Sequence, residues 1–172
     1  MDAVLMSVQP EHAENVLDGF KTYEIRKILP SCSFPYILYI YETKKIYRTR
    51  QGIKFPGAGA VVGYAIIGAH IRTNVFSPEV EKFHFRGFSA TENYNPHISP
   101  ESVLSYQNHI LENACITRDE LIKYANLESV SALVVHEQKR YKKPLPLSRF
   151  GLSRPPQSWQ YLRDIKDVID VE

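Results

Sequence analysis

A lysine, a glutamate and an arginine follow a single glycine at spacings that suit a polar binding site, in the run Gly19-Phe-Lys-Thr-Tyr-Glu-Ile-Arg26. Side chains of an extended chain alternate between faces, so Glu24 and Arg26 share one face and Tyr23 and Ile25 the other. Lys21 lies where the strand has barely begun, and that alternation does not set its direction. Arg26 can present a planar fork of donors and Lys21 a compact positive charge. Glu24 can accept from an exocyclic amine or act as a general base. The trio suits a polar ligand carrying a carbonyl, an amide or a phosphate. The competing expectation is an ion pair with a purely structural role.

The elements around this run must place it. Ala3 to Val8 reads as a strand. Pro10 suits a first helical turn, Ala13, Val16 and Leu17 form an apolar stripe, and Gly19 can take left-handed dihedrals, which predicts a helix over Pro10 to Asp18. Tyr23 to Arg26 is a half-buried strand that ends before Pro30 to Pro35, and Ile37 to Glu42 makes the next strand. The apolar run from Ala60 to Ile71, entered through Gly57 and Gly59, predicts a central strand. Ser77-Pro78-Glu79 and Ser99-Pro100-Glu101 favour helix starts, and 83–97 is aromatic and irregular. Thr117 and Glu120 fit a capping box for a helix over Arg118 to Ala125. Val130 to Glu137 is the late strand, Gly151 to Trp159 a loop, and 163–172 a closing helix or strand.

The chain has 172 residues, 44% apolar and 23% charged, as expected for one globular domain. Its longest apolar stretches, Tyr36 to Tyr41 and Val61 to Ile71, are far short of a membrane span, and no basic segment precedes an apolar signal core. A cytoplasmic protein without membrane contact, with Cys32 and Cys115 reduced, is the expectation. A net charge of +2 is too small to imply nucleic acid by itself. Its distribution says more. Lys44, Lys45, Arg48, Arg50 and Lys54 form one basic run, and Lys139, Arg140, Lys142, Lys143 and Arg149 form another. If the runs converge they make a phosphate-facing surface; otherwise they are solvated strand ends.

Other chemistries lack their signatures. His12, His70, His84, His97, His109 and His136 form no short ligand motif, so no metal is expected. Gly57-Ala-Gly-Ala lacks the lysine of a phosphate-binding loop, and no dinucleotide fingerprint is present, so no cofactor is expected either.

The order of elements and the Gly19 to Arg26 run resemble the ASCH domain family, a branch of the PUA-like β-barrels, whose signature is G-x-K-x-x-E-x-R. Tyr39-Ile-Tyr-Glu, Thr117-Arg-Asp-Glu-Leu, Val130 to His136 and Arg154-Pro-Pro-Gln-Ser-Trp-Gln-Tyr161 add to the resemblance, which covers nearly the whole chain. Arg72 to Asn113 is longer than in the smallest members. The resemblance implies an α+β fold over residues 1–172, a PUA-like mixed β-barrel with peripheral helices and a helical insertion at 72–113.

It also implies an RNA or nucleotide-like ligand in a polar cleft at the barrel mouth. Lys21 and Arg26 would meet phosphate or base acceptors, and Glu24 a base amino group. Tyr39, Tyr41 or Trp159 would stack, and the run Lys44 to Lys54 would extend along the ligand's backbone. Some small bacterial relatives of this family are amidohydrolases acting on N4-acetylcytidine through a lysine, a threonine and a later glutamate. Their lysine corresponds to Lys21, their threonine falls at Glu24, and their glutamate is placed at Glu112. With a carboxylate in place of the hydroxyl, Glu24 or Glu112 would activate water directly while Lys21 and Arg26 steady the amide oxygen. A third expectation is a protein-interaction adaptor that uses Phe83, Phe85 and Phe88.

Overall fold

The structure, a computed structural model, describes residues 1–48, 52, 54–74, 100–126 and 128–163. Arg50, the helix start at Ser77, the aromatic stretch with Phe83, Phe85 and Phe88, and 164–172 lie outside the described residues.

Two central strands, β1 (Ala3–Val8) and β3 (Tyr36–Glu42), run parallel, and every other pairing of the main sheet is antiparallel. With β2 (Tyr23–Arg26), β6 (Ala60–Asn74), β7 (Ser129–Leu145) and β8 (Trp159–Tyr161), they form a six-stranded sheet in the order β2-β7-β6-β3-β1-β8. This mixed sheet is a half-barrel with β2 and β8 as its edges. A separate ladder pairs β4 (Ile46–Arg48) with β5 (Lys54–Pro56).

Alternation along β1 and β3 sorts the core. Val4, Met6, Val8, Leu38 and Ile40 pack with Ala13, Val16 and Leu17 of α1 (Pro10–Leu17), which fills the concave side. Leu5, Ile37, Tyr39 and Tyr41 pack on the other side against Phe150 of a 3₁₀ turn, Leu147–Phe150. A strand apolar on both faces is what a central position requires. A third cluster, with Ile25, Val130 and Ala132, lies under α2 (Pro100–Asn113) and α3 (Arg118–Ala125), which contribute Ile110 and Ala125. The capping box of Thr117 and Glu120 forms as expected. No described helix is long and apolar enough to cross a membrane.

α1 ends one residue before the expected Asp18, which serves as its cap, and Gly19 takes a φ of +81° just beyond. That left-handed residue costs a glycine little and turns the chain back towards β2. β7 extends eight residues past the expected Glu137, to Leu145, because its charged second half still pairs with the start of β6. The pairing is close at Gly63, where a Cβ would lie 2.3 Å from the Lys139 carbonyl oxygen. Trp159, expected in a loop, sits on β8 opposite Met6.

Candidate functional site

The turn between α1 and β2 is tied down on both sides. The Lys21 amide donates to the Asn15 carbonyl at 2.8 Å, and the Thr22 amide to the Asn113 carbonyl at 2.9 Å. The Thr22 hydroxyl reaches Asn113 Oδ1 at 3.1 Å. So held, the Lys21 side chain turns inward and its Nζ donates to the Ala114 carbonyl, 2.8 Å away at the C-terminal end of α2. Helix C-termini leave carbonyls without intrahelical partners, and a cation there complements the helix dipole.

Lys21 Nζ also stands 3.4 Å from Glu24 Oε2, and Arg26 Nη2 is 2.8 Å from Glu24 Oε1. Arg26 Nη2 donates onward to the Ser7 carbonyl on β1 at 3.0 Å. Lys21, Glu24 and Arg26 therefore converge as an ion-pair cluster, but in the interior and not at the expected open cleft. Lys21 is 2% exposed and Glu24 4%. On β2, Glu24 pairs with Leu133 of the concave core, while Tyr23 and Ile25 pack on the outer face under the helices.

One further residue belongs to the cluster. Burial, then the positive charge of Lys21, holds His12 below the usual imidazole range, against the opposing pull of Glu24. A neutral ring at pH 7 follows. Burial pushes the Glu24 carboxyl up, but Lys21, Arg26 and His12 outweigh it and hold the group below its ordinary value. The interior thus contains an ionised carboxylate, two cations and a neutral imidazole. His12 Nδ1, Glu24 Oε2 and Arg26 Nε are all buried without a hydrogen-bond partner. Oε2 faces Lys21 closely enough for ionic attraction but lacks hydrogen-bond geometry. The sequence does carry a signal for His12: it lies four residues before Val16, on the border of the buried stripe of α1.

The half-barrel's two edges meet across side-chain bonds instead of a ladder. Besides Arg26 to Ser7, Trp159 Nε1 donates to the Ile28 carbonyl at 3.1 Å, and the Ser31 amide donates to the Tyr161 hydroxyl at 2.7 Å. The Ser7 hydroxyl donates to the Pro156 carbonyl at 2.6 Å, which brings the segment before β8 over the same seam. Trp159 is half-buried, packs against the concave core and meets Tyr161 edge to face at 5.1 Å. The carbonyl of the preceding residue, Ser158, accepts the Ser7 amide at 2.9 Å.

Three expectations need correction. Tyr39 is fully buried on the convex side, 5.0 Å from the Phe150 ring, with its hydroxyl pushed up to about 12 by burial, so it has no free face for a base. Tyr41 is buried in the same cluster. Glu112 is exposed on α2, and among the described residues no hydrogen bond or ion pair joins it to the trio; α2 meets Lys21 through the Ala114 carbonyl instead. Lys44, Lys45 and Lys54 are exposed at or beside the β4–β5 ladder, and Arg48 lies on β4. Lys139, Lys142, Lys143 and Arg149 are exposed too, whereas Arg140 is held by Glu14, at 2.7 and 3.1 Å, and by Asp18 at 2.9 Å.

No protein-family model matches the sequence, and no curated protein matches it. Solved structures do. The ASCH protein of Zymomonas mobilis superposes with a TM-score of 0.61 at 18% identity, covering 94% of this chain and 88% of its own. A Tyr-to-Phe variant of that protein gives 0.63 at 17% identity, covering 96% and 93%. A Ser-to-Ala variant gives 0.62 at 17%, covering 95% and 89%. At such identities likeness speaks to fold and not to chemistry. With the sheet order and helices described above, it shows that this chain shares the α+β fold of that ASCH protein.

Proposed function

We propose that the protein binds RNA or a nucleotide-like ligand through Lys21, Glu24, Arg26 and His12, beneath the seam that Trp159 borders. The observation that carries this reading is the set of buried atoms of this cluster that lack a hydrogen bond: His12 Nδ1 and Arg26 Nε, with Glu24 Oε2 held by the Lys21 charge alone. Buried polar atoms are nearly always hydrogen-bonded, so these atoms call for a partner. A base edge with an amino group next to a ring nitrogen or carbonyl offers a donor to Glu24 and an acceptor to Arg26. With two cations against one carboxylate, the interior also favours an electron-rich or anionic group. The test is a binding panel of RNA, DNA, cytidine and N4-acetylcytidine at several salt concentrations. Binding that is lost in Arg26→Gln supports the reading, and no binding by any member rejects it.

A second reading is an amidohydrolase acting on an acylated nucleoside, with the ionised Glu24 as the base although Lys21 and Arg26 weaken it. Glu24 would draw a proton from water, and Lys21 and Arg26 would steady negative charge on the amide oxygen. Acetate release from N4-acetylcytidine, measured against an enzyme-free control, decides this version.

A further inference from the structure

We propose that the β4–β5 hairpin is a second binding surface, for the unpaired RNA nucleotides that flank the group read in the barrel; this rests on the binding reading above. Its residues are unusual for a solvated arm. Ile46 is 70% exposed and Phe55 44%, although both are large and apolar. Tyr47 and Phe55 face each other across the ladder with ring centroids 6.0 Å apart and planes tilted by 31°. Directly opposed residues share a face, so the two rings form one aromatic ledge. Such a ledge can take the face of any base, which is how single strands are held without sequence preference.

Charge complementarity selects the occupant. Lys45 lies two residues before Tyr47, on the ledge's side, Lys54 is next to Phe55 on the other face, and Lys44 precedes β4; all three are exposed, and among the described residues none of them forms an ion pair. The acids nearest Tyr47 are already engaged: Glu14 and Asp18 hold Arg140, and Glu42 accepts the Ala58 amide at 3.0 Å. Free cations beside aromatic faces match phosphates alternating with bases better than they match a protein surface. The position fits as well. The hairpin packs on α1, the helix whose His12 borders the buried cluster, so one strand could engage both. The hairpin also supplies the stacking surface that Tyr39 cannot.

The test uses the full chain and a fluorescent single-stranded RNA of about 10 nucleotides, a length suited to one such fold. Cytidine and N4-acetylcytidine serve as probes of the barrel alone. Phe55→Ala should weaken RNA binding about ten-fold, the loss expected for one stacked base, without changing nucleoside binding, and Phe55→Trp should restore it. Ultraviolet cross-linking should attach the RNA to the peptide carrying Tyr47 or Phe55. RNA binding unchanged in both Phe55→Ala and a Lys44, Lys45, Lys54→Gln variant overturns the hairpin and leaves the barrel reading standing. RNA binding that needs Phe55 without any nucleoside binding does the reverse. A wild type that binds no RNA, or a hairpin that cross-links only to protein, overturns this proposal.

Discussion

The interior cluster and the hairpin carry similar residue types under opposite conditions. Inside, Lys21 and Glu24 are buried and Arg26 is half-buried beside them, with Lys21 and Arg26 locked by bonds to the carbonyls of Ala114 and Ser7. Outside, Lys44, Lys45 and Lys54 stand in solvent beside a ladder of three residue pairs. Charges in a low dielectric interact strongly and with little screening, so their placement is exacting, whereas exposed charges are screened within about 8 Å at physiological salt. One region is built to distinguish ligands and the other to hold a charged chain. Recognition of identity and affinity for a polymer are thus separable in this molecule, and can be perturbed one at a time.

The hardest blow to the interior is Glu24→Ala, which leaves two cations buried without their counter-charge. It should cost about 3 kcal/mol, read from urea unfolding, and an unchanged midpoint would show that the interior is wet and the contrast with the hairpin false. Acid comes next. His12 resists protonation when folded, so it contributes stability above its ordinary value of 6.5 that is lost as pH falls below it. Glu24 is held below its ordinary 4.5, so its contribution is present above that pH and is lost as pH falls through the folded value. Thermal melts of His12→Asn should lose the first decline and keep the second, and Glu24→Gln should flatten the second.

At the hairpin, replacing Lys44, Lys45 and Lys54 by Gln should lower the slope of log affinity against log salt by about 2, some 0.7 for each phosphate no longer neutralised. The interior should not notice, and nucleoside affinity should hold. The smallest effect is expected at Arg140, which joins α1 to β7 between the two regions. Arg140→Ala should cost about 1 kcal/mol or less, because its partners are at the surface, and a larger loss in denaturant titration would mean that the two regions lean on each other.

What was legible in the chain followed from short-range rules. Period-two alternation placed Glu24 and Arg26 on one face, Pro10 and Gly19 bounded α1, and Thr117 with Glu120 marked a helix start. What escaped depended on partners distant in sequence. Tyr39 reads like an amphipathic aromatic until β3 is known to be central, with Phe150 lying over it. The second half of β7 reads as solvated because its lysines are exposed, yet Gln138, Lys139, Arg140 and Leu145 still pair with β6. β8 is three residues long and exists because β1 offers it an edge. His12 is marked in the sequence only by its place beside the apolar stripe of α1, and it takes the fold to bring it to Glu24.

One bond carries a consequence beyond the site. Lys21 Nζ reaches the Ala114 carbonyl across 93 residues of chain, and Thr22 is fastened to Asn113 beside it. The seating of α2 and the position of the ammonium are therefore a single linked equilibrium. Linkage is reciprocal: whatever loosens α2 must weaken a ligand that needs that ammonium, and such a ligand must tighten α2 by the same free energy.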